Sequence, residues 1–187
     1  TLAGGTRLSA GVRTERIDKT HSNAADRIDD RQRAWELGVL QPLTAEASVY
    51  ARIGRSYRLA NVDEFSFTTP GVPLQPQTSH DLELGTRWHE AGRSAELRVY
   101  RSRLTNEIGY DPNGVGPFGP GANVNFDPTR RQGVELELAQ ALGESLKLRA
   151  NGAWRQSRFT AGAYDGRDVP LTAKRTLSLR ADWTPAP

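Results

Sequence analysis

The chain has 187 residues, no cysteine and a formal charge of +3 from 25 basic and 22 acidic side chains. It therefore holds no disulfide scaffold and no thiolate metal site, and it lacks the charge excess of a nucleic-acid binder. Hydrophobic residues make up 36% of it and mean hydropathy is −0.62; no stretch approaches the roughly 18 consecutive apolar residues of a membrane helix, which leaves membrane strands open, because there only every second residue must be apolar.

The hydrophobic period is two along the chain, and about eight strands are expected. The first covers about Thr6 to Arg16, with Leu8, Ala10, Val12 and Thr14 on one face and Arg7, Ser9, Arg13 and Glu15 on the other. A polar stretch from about Asp18 to Arg31 follows, read as a loop carrying Asp26, Asp29 and Asp30. The second strand, about Arg33 to Leu40, sets Trp35, Leu37 and Val39 on its apolar face and turns at Gln41-Pro42-Leu43, since proline cannot donate to a ladder. The third, about Ala45 to Arg58, has a weak apolar face of Ala45, Ala47, Val49 and Ala51 before a segment holding Pro70, Gly71, Pro73 and Pro76.

The fourth strand, about Ser79 to His89, opposes Leu82, Leu84, Thr86 and Trp88 to Asp81, Glu83 and Arg87. After the short turn Glu90-Ala91-Gly92-Arg93 comes the fifth, about Ser94 to Tyr110, with Ala95, Leu97 and Val99 against Glu96, Arg98 and Tyr100. Four glycines and four prolines between Asp111 and Pro128 argue against regular structure there. The sixth strand runs from about Thr129 to Ala141, the seventh from Ser145 to Phe159 and the eighth from Thr172 to Thr184, each with leucine on one face and charge on the other.

The gaps between strands alternate short and long. A gap of about four residues closes a hairpin, whereas gaps of about fifteen or more exceed ordinary loops. Strict alternation puts the tight turns at one end of a sheet and the long loops at the other, as in an antiparallel barrel across an outer membrane. The expected strand lengths reach what a tilted membrane strand needs. Trp88 and Trp183 fall near short-turn ends and Trp35 near a long-loop end of the apolar face, as two aromatic girdles require. A soluble β-sandwich with the apolar face inside has the same alternation.

Several stretches, in order, resemble the barrel of TonB-dependent outer-membrane receptors. They are Tyr50 to Phe65 (YARIGRSYRLANVDEF), Leu74 to Gly85 (LQPQTSHDLELG), Val99 to Asp111 (VYRSRLTNEIGYD), Asn125 to Glu137 (NFDPTRRQGVELE) and Val169-Pro170-Leu171. Gln77 stands where the family usually has Glu, and Leu59-Ala60 where proline is common. The resemblance implies an all-β fold of antiparallel up-and-down strands, a partial transmembrane β-barrel of about eight strands out of the 22 of such transporters. Residues 1–187 are then a fragment of the receptor's barrel domain, in the cell outer membrane of a Gram-negative bacterium. The implied partners are outer-membrane lipid, the plug domain and remaining strands of the parent chain, and the TonB system indirectly. The implied ligand is a large nutrient, a ferric siderophore, haem or cobalamin, taken up without covalent chemistry and without a cofactor. Two alternatives stand beside this: a self-contained small outer-membrane barrel acting as an adhesin or structural protein, and a soluble β-sandwich binding module.

The candidate site residues follow from this layout. Glu83, Arg87, Glu96, Arg98, Glu135, Arg149 and Arg180 are expected to line the lumen, either as a mutually paired polar wall or in contact with plug or ligand. Tyr57, Phe65, Phe67, Tyr110, Phe118, Phe126, Phe159 and Tyr164 lie at strand ends or in long loops, where an aromatic ring can stack on a planar ligand, and Tyr57, Phe65, Tyr110, Phe118, Phe126 and Tyr164 are the ligand-contact candidates. The aspartates near position 29 favour a hard cation in type but lack the spacing of a calcium loop. His21, His80 and His89 are dispersed, with no metal triad and no nucleophile–base set.

Overall fold

A computed structural model describes residues 3–20 and 27–185. Eight strands form one antiparallel sheet: β1 (Arg7–Thr20), β2 (Arg27–Pro42), β3 (Ala47–Arg58), β4 (Gln77–Glu90), β5 (Arg93–Thr105), β8 (Thr129–Leu142), β9 (Leu146–Phe159) and β10 (Arg175–Trp183), neighbours in that order. Between β5 and β8 a separate hairpin is built from β6 (Glu107–Gly116) and β7 (Gly119–Phe126), and α1 (Val62–Ser66) lies between β3 and β4.

Register keeps every apolar set together. Leu37 pairs with Ala10 and Ile53, Leu84 with Ala51 and Val99, and Val134 with Val99 and Trp154. Because the side-chain period is two, this register commits one whole face to leucine, valine and alanine and the other to charge. Among the described residues no second layer packs on the apolar face, and Leu82, Leu84, Leu97 and Leu138 stay exposed on it. A sandwich would have buried them, so that expectation is not met. Nor do β1 and β10 pair with each other, so the described sheet is open rather than a closed eight-stranded barrel.

The tight turns lie at one end. Between β4 and β5, Ala91 and Gly92 both take positive φ (41° and 80°), the two-residue turn whose twist matches flanking antiparallel strands. Between β2 and β3, the Thr44 hydroxyl accepts from the backbone N–H of Glu46 (3.1 Å) and Ala47 (3.0 Å).

Four expectations are corrected. Residues 111–128 are regular: β6 pairs antiparallel with β7 from Glu107↔Phe126 to Gly116↔Gly119, with a register shift between Asp111 and Val115 that absorbs Pro112 and Gly114. Glycine and proline there shape a bulged hairpin rather than forbid one. The fifth strand does not reach Tyr110; it ends at Thr105, where Asn106 adopts φ 56° and redirects the chain. The stretch from Asp18 to Arg31 is mostly ladder, since β1 continues to Thr20 and β2 begins at Arg27, pairing Asp18 with Asp29 and Ile17 with Asp30. Asp29 and Asp30 are therefore strand residues, not loop ligands, and Asp26 and His21 lie outside the described residues. Pro42 closes β2 opposite Ser48 rather than sitting in the turn, the terminal ladder position that a residue without an N–H can occupy.

Candidate functional site

All seven charged candidates share the polar face, joined across strands. Arg87 Nε lies 3.1 Å from Glu96 Oε2, and Glu96 Oε1 accepts from the Tyr50 hydroxyl at 2.9 Å. The Arg87 guanidinium also stacks 4.6 Å from the Tyr50 ring centroid. Arg98 bridges Glu83 (3.8 Å) and Glu135, and Glu135 takes a second guanidinium, Arg155 Nε at 3.1 Å. Farther along, Arg149 (3.7 Å) and Arg180 (2.7 Å) converge on Asp182.

This wall has a steric logic. Tyr50 sits directly over Gly85, and a Cβ on Gly85 would run into its ring. Tyr100 lies the same way over Gly133, whose Cβ would come 3.0 Å from the phenolic oxygen and 2.7 Å from the Trp154 carbonyl. Each glycine leaves room for a neighbouring tyrosine to lie flat on the sheet, the cross-strand pairing that covers a bare backbone. The alternation assigns Tyr50 and Arg155 to the charged face, but only register reveals that they complete its network.

The long-loop end is built from two interlocked segments. In residues 59–76, Asn61 caps α1: its side chain accepts from Glu64 N (2.8 Å) while the Glu64 carboxylate accepts from Asn61 N (2.9 Å). The same carboxylate binds Arg58 Nη1 through both oxygens, at 2.9 and 2.8 Å. Ala60, Leu74 and Ile108 form a small buried cluster with Phe65 against it. The hairpin β6–β7 docks onto this segment through Asn123 N to Phe67 O (2.7 Å) and Asn125 against Gln75. Glu107, 9% exposed, accepts from the Thr129 hydroxyl at 2.6 Å and pairs with Arg131, tying the hairpin to β8.

The aromatic candidates separate into packed and open groups. Phe126 meets Phe159 edge-on at 6.1 Å, and Tyr164 leans on Phe159 at 5.6 Å. Phe65 belongs to the loop core, and the Tyr57 hydroxyl donates to Glu15 with Arg13 near its ring. Phe118 is 87% exposed and Tyr110 60% exposed, both on the β6–β7 hairpin, and Phe118 touches Phe67 edge-on at 5.9 Å. Phe67 thus joins Phe118 as an open aromatic pair that needed the hairpin to form. In the last loop, Asp168 accepts from Lys174 Nζ (2.6 Å) and Arg158 Nε (3.2 Å), and these two cations hold its carboxyl below the usual aspartate range.

An open antiparallel sheet with one uncovered apolar face, one ion-paired face, tight turns at one end and dressed loops at the other is the wall of a membrane β-barrel. Along residues 1–187 the chain matches the family model described as TonB dependent receptor-like, beta-barrel, and it belongs to that family of Gram-negative outer-membrane receptors. It is 24% identical over 143 residues to a vitamin B12 transporter, BtuB, of Vibrio vulnificus (strain YJ016), a match over 73% of this chain and 23% of that protein. It is 26% identical over 132 residues to the hemophilin receptor of Acinetobacter baumannii, covering 65% of this chain and 12% of that one. Among solved structures, Pseudomonas aeruginosa FpvA bound to a heterologous pyoverdine and iron superposes with a TM-score of 0.75 at 16% identity, over 100% of this chain and 25% of FpvA. The chain thus spans about a quarter or less of these relatives.

Proposed function

We propose that residues 1–187 are a fragment of a receptor barrel that takes up a large nutrient (a ferric siderophore, haem or cobalamin) across the outer membrane. The observation that carries this is the pairing of a charged ladder on one face with an elaborated, cross-braced loop end. The seven charged residues from Glu83 to Arg180 are assigned to the lumen wall, facing the plug. Their mutual pairing favours a structural role: they keep a polar surface in place without leaving lone charges for the ligand. The apolar face is assigned to lipid. Among the aromatic candidates, Phe118 and Tyr110 are favoured for the ligand because they are exposed at the hairpin, whereas Phe65 and Phe126 brace the loops and Tyr164, half-exposed, leans on Phe159.

The work is binding followed by plug movement coupled to the TonB system, with no covalent chemistry and no resident cofactor. Support comes from family membership together with relatives that are named for vitamin B12 transport and as a hemophilin receptor. The test is equilibrium binding of the full-length receptor to ferric siderophores, haem and cobalamin. Saturable binding of one class, weakened at least fivefold by Phe118→Ala, supports the reading; binding of none of them rejects the ligand assignment.

A further inference from the structure

The apolar face gives way to a row of four arginines and one histidine at its long-loop end. Register sets Arg55 opposite His80, His80 opposite Arg103, Arg103 opposite Arg130 and Arg130 opposite Arg158, one residue from each of five adjacent strands. Arg101 stands two residues below Arg103 on the same face. The next row is mixed, Ile53, Leu82, Arg101, Gln132 and Gln156, and the one below it is apolar, with Leu84, Val99 and Val134 in line and Trp154 beside them. Trp35, opposite Arg55, sits at the same border in β2.

These arginines differ from those of the polar face. There, each of Arg87, Arg98, Arg149 and Arg180 has a carboxylate within 4 Å. In the row, Arg158 has Asp168 at 3.2 Å, but Arg55, Arg101, Arg103 and Arg130 have no carboxylate at salt-bridge distance among the described residues. Like charges directly opposite in a sheet destabilise it. Between β5 and β8 a pocket of about 330 Å³ opens, lined by Arg101, Arg103, Thr105, Arg130 and Thr160 and by no acidic residue.

We propose that this row, with the Arg101–Arg103–Arg130 pocket at its centre, docks the phosphate-bearing headgroups of lipids in the outer leaflet. The inference rests on the reading that the apolar face meets lipid. Guanidinium groups bind phosphate through paired N–H donors, and the row lies where headgroups sit, two rows above an apolar band and level with Trp35. The anion relieves the repulsion that the row otherwise carries. A lipid headgroup fits better than free phosphate because, below Arg101, Gln132 and Gln156, the surface continues as leucine and valine, which acyl chains can cover.

The test uses the full-length receptor in detergent, with its thermal midpoint and native mass spectrometry as readouts. Lipid A bearing two phosphates is the probe; the same lipid dephosphorylated, and inorganic phosphate, are the comparisons. Lipid A is expected to raise the midpoint and remain bound, and Arg103→Gln/Arg130→Gln to weaken it about thirtyfold. Without lipid the double variant is expected to be at least as stable as the parent, because repulsion is removed. If the double variant does not assemble, Arg103→Gln and Arg130→Gln are read singly, about fivefold each. Equal lipid A shifts in parent and variant overturn the proposal. An equal shift from inorganic phosphate overturns the lipid assignment and leaves a free-anion site. A receptor that stays monomeric and dissolved without detergent instead refutes the membrane reading beneath it.

Discussion

Asn125 and the backbone of Gln75 exchange two hydrogen bonds: the Asn125 carbonyl oxygen accepts from Gln75 N at 2.7 Å, and its amide donates to Gln75 O at 2.9 Å. The same amide reaches Asn106 O at 2.9 Å. One side chain thus imitates a strand neighbour for the segment leading into β4 and also pins the residue at which the chain leaves β5. Replacing Asn125 with Ala removes these three bonds, each worth about 0.5–1.5 kcal/mol net. Amide exchange in residues 59–76 and 106–126 should accelerate at least tenfold while β8 and β9 stay protected. Unchanged exchange in both loops would show that the hairpin docks without it.

Gly85 is required by Tyr50. A valine at position 85 puts its Cβ into the tyrosine ring, so the ring must leave the sheet and give up Glu96 and Arg87. Gly85→Val should cost about 1–3 kcal/mol. Combining it with Tyr50→Ala should cost less than the two single changes summed, which denaturant unfolding of the refolded barrel can read.

Glu135 lies between Arg98 and Arg155. Glu135→Ala sets two guanidinium groups against each other with nothing between them. The thermal midpoint should fall, and a double-mutant cycle of Arg98 with Glu135 should return a coupling of about 0.5–1 kcal/mol. The more exposed pair Arg13–Glu15, 69% and 36% exposed, should return a smaller coupling, so equal couplings for the two pairs would contradict this account.

Asp168 gives the last loop a pH dependence of defined sign. Its carboxyl is held below the ordinary 3.8 by Lys174 and then Arg158. A depressed carboxyl contributes stability that is fully present above the unfolded value and is lost as pH falls through the folded one. Protease resistance of residues 160–174 should therefore be flat from neutral pH down to about 4 and decline below that. Asp168→Asn should lower resistance at neutral pH and remove the acid decline.

Much of the wall was legible because a strand exposes its period directly. Leu82, Leu84 and Trp88 against Glu83 and Arg87 could be sorted by parity alone, and register preserved the sorting. The hairpin β6–β7 was hidden because its ladder is interrupted by Pro112 and Gly114, and local signals for a bulge and for a loop coincide. The lengths of β1 and β2 were hidden for another reason: a charged run such as residues 27–33 reads as loop until a partner strand supplies its hydrogen bonds.

The two-faced strands, the placement of tight turns against long loops and the charge of one wall are all set by neighbours along the chain, so each can be read without knowing the fold. Which charges meet is a property of the folded sheet. Glu135 finds Arg98 and Arg155 from two other strands, Asn125 reaches back to Gln75, and Arg103 falls in line with Arg55 and Arg130. Such encounters depend on interstrand register and loop docking, which are fixed by packing across long sequence separations and leave no mark in any short window of sequence.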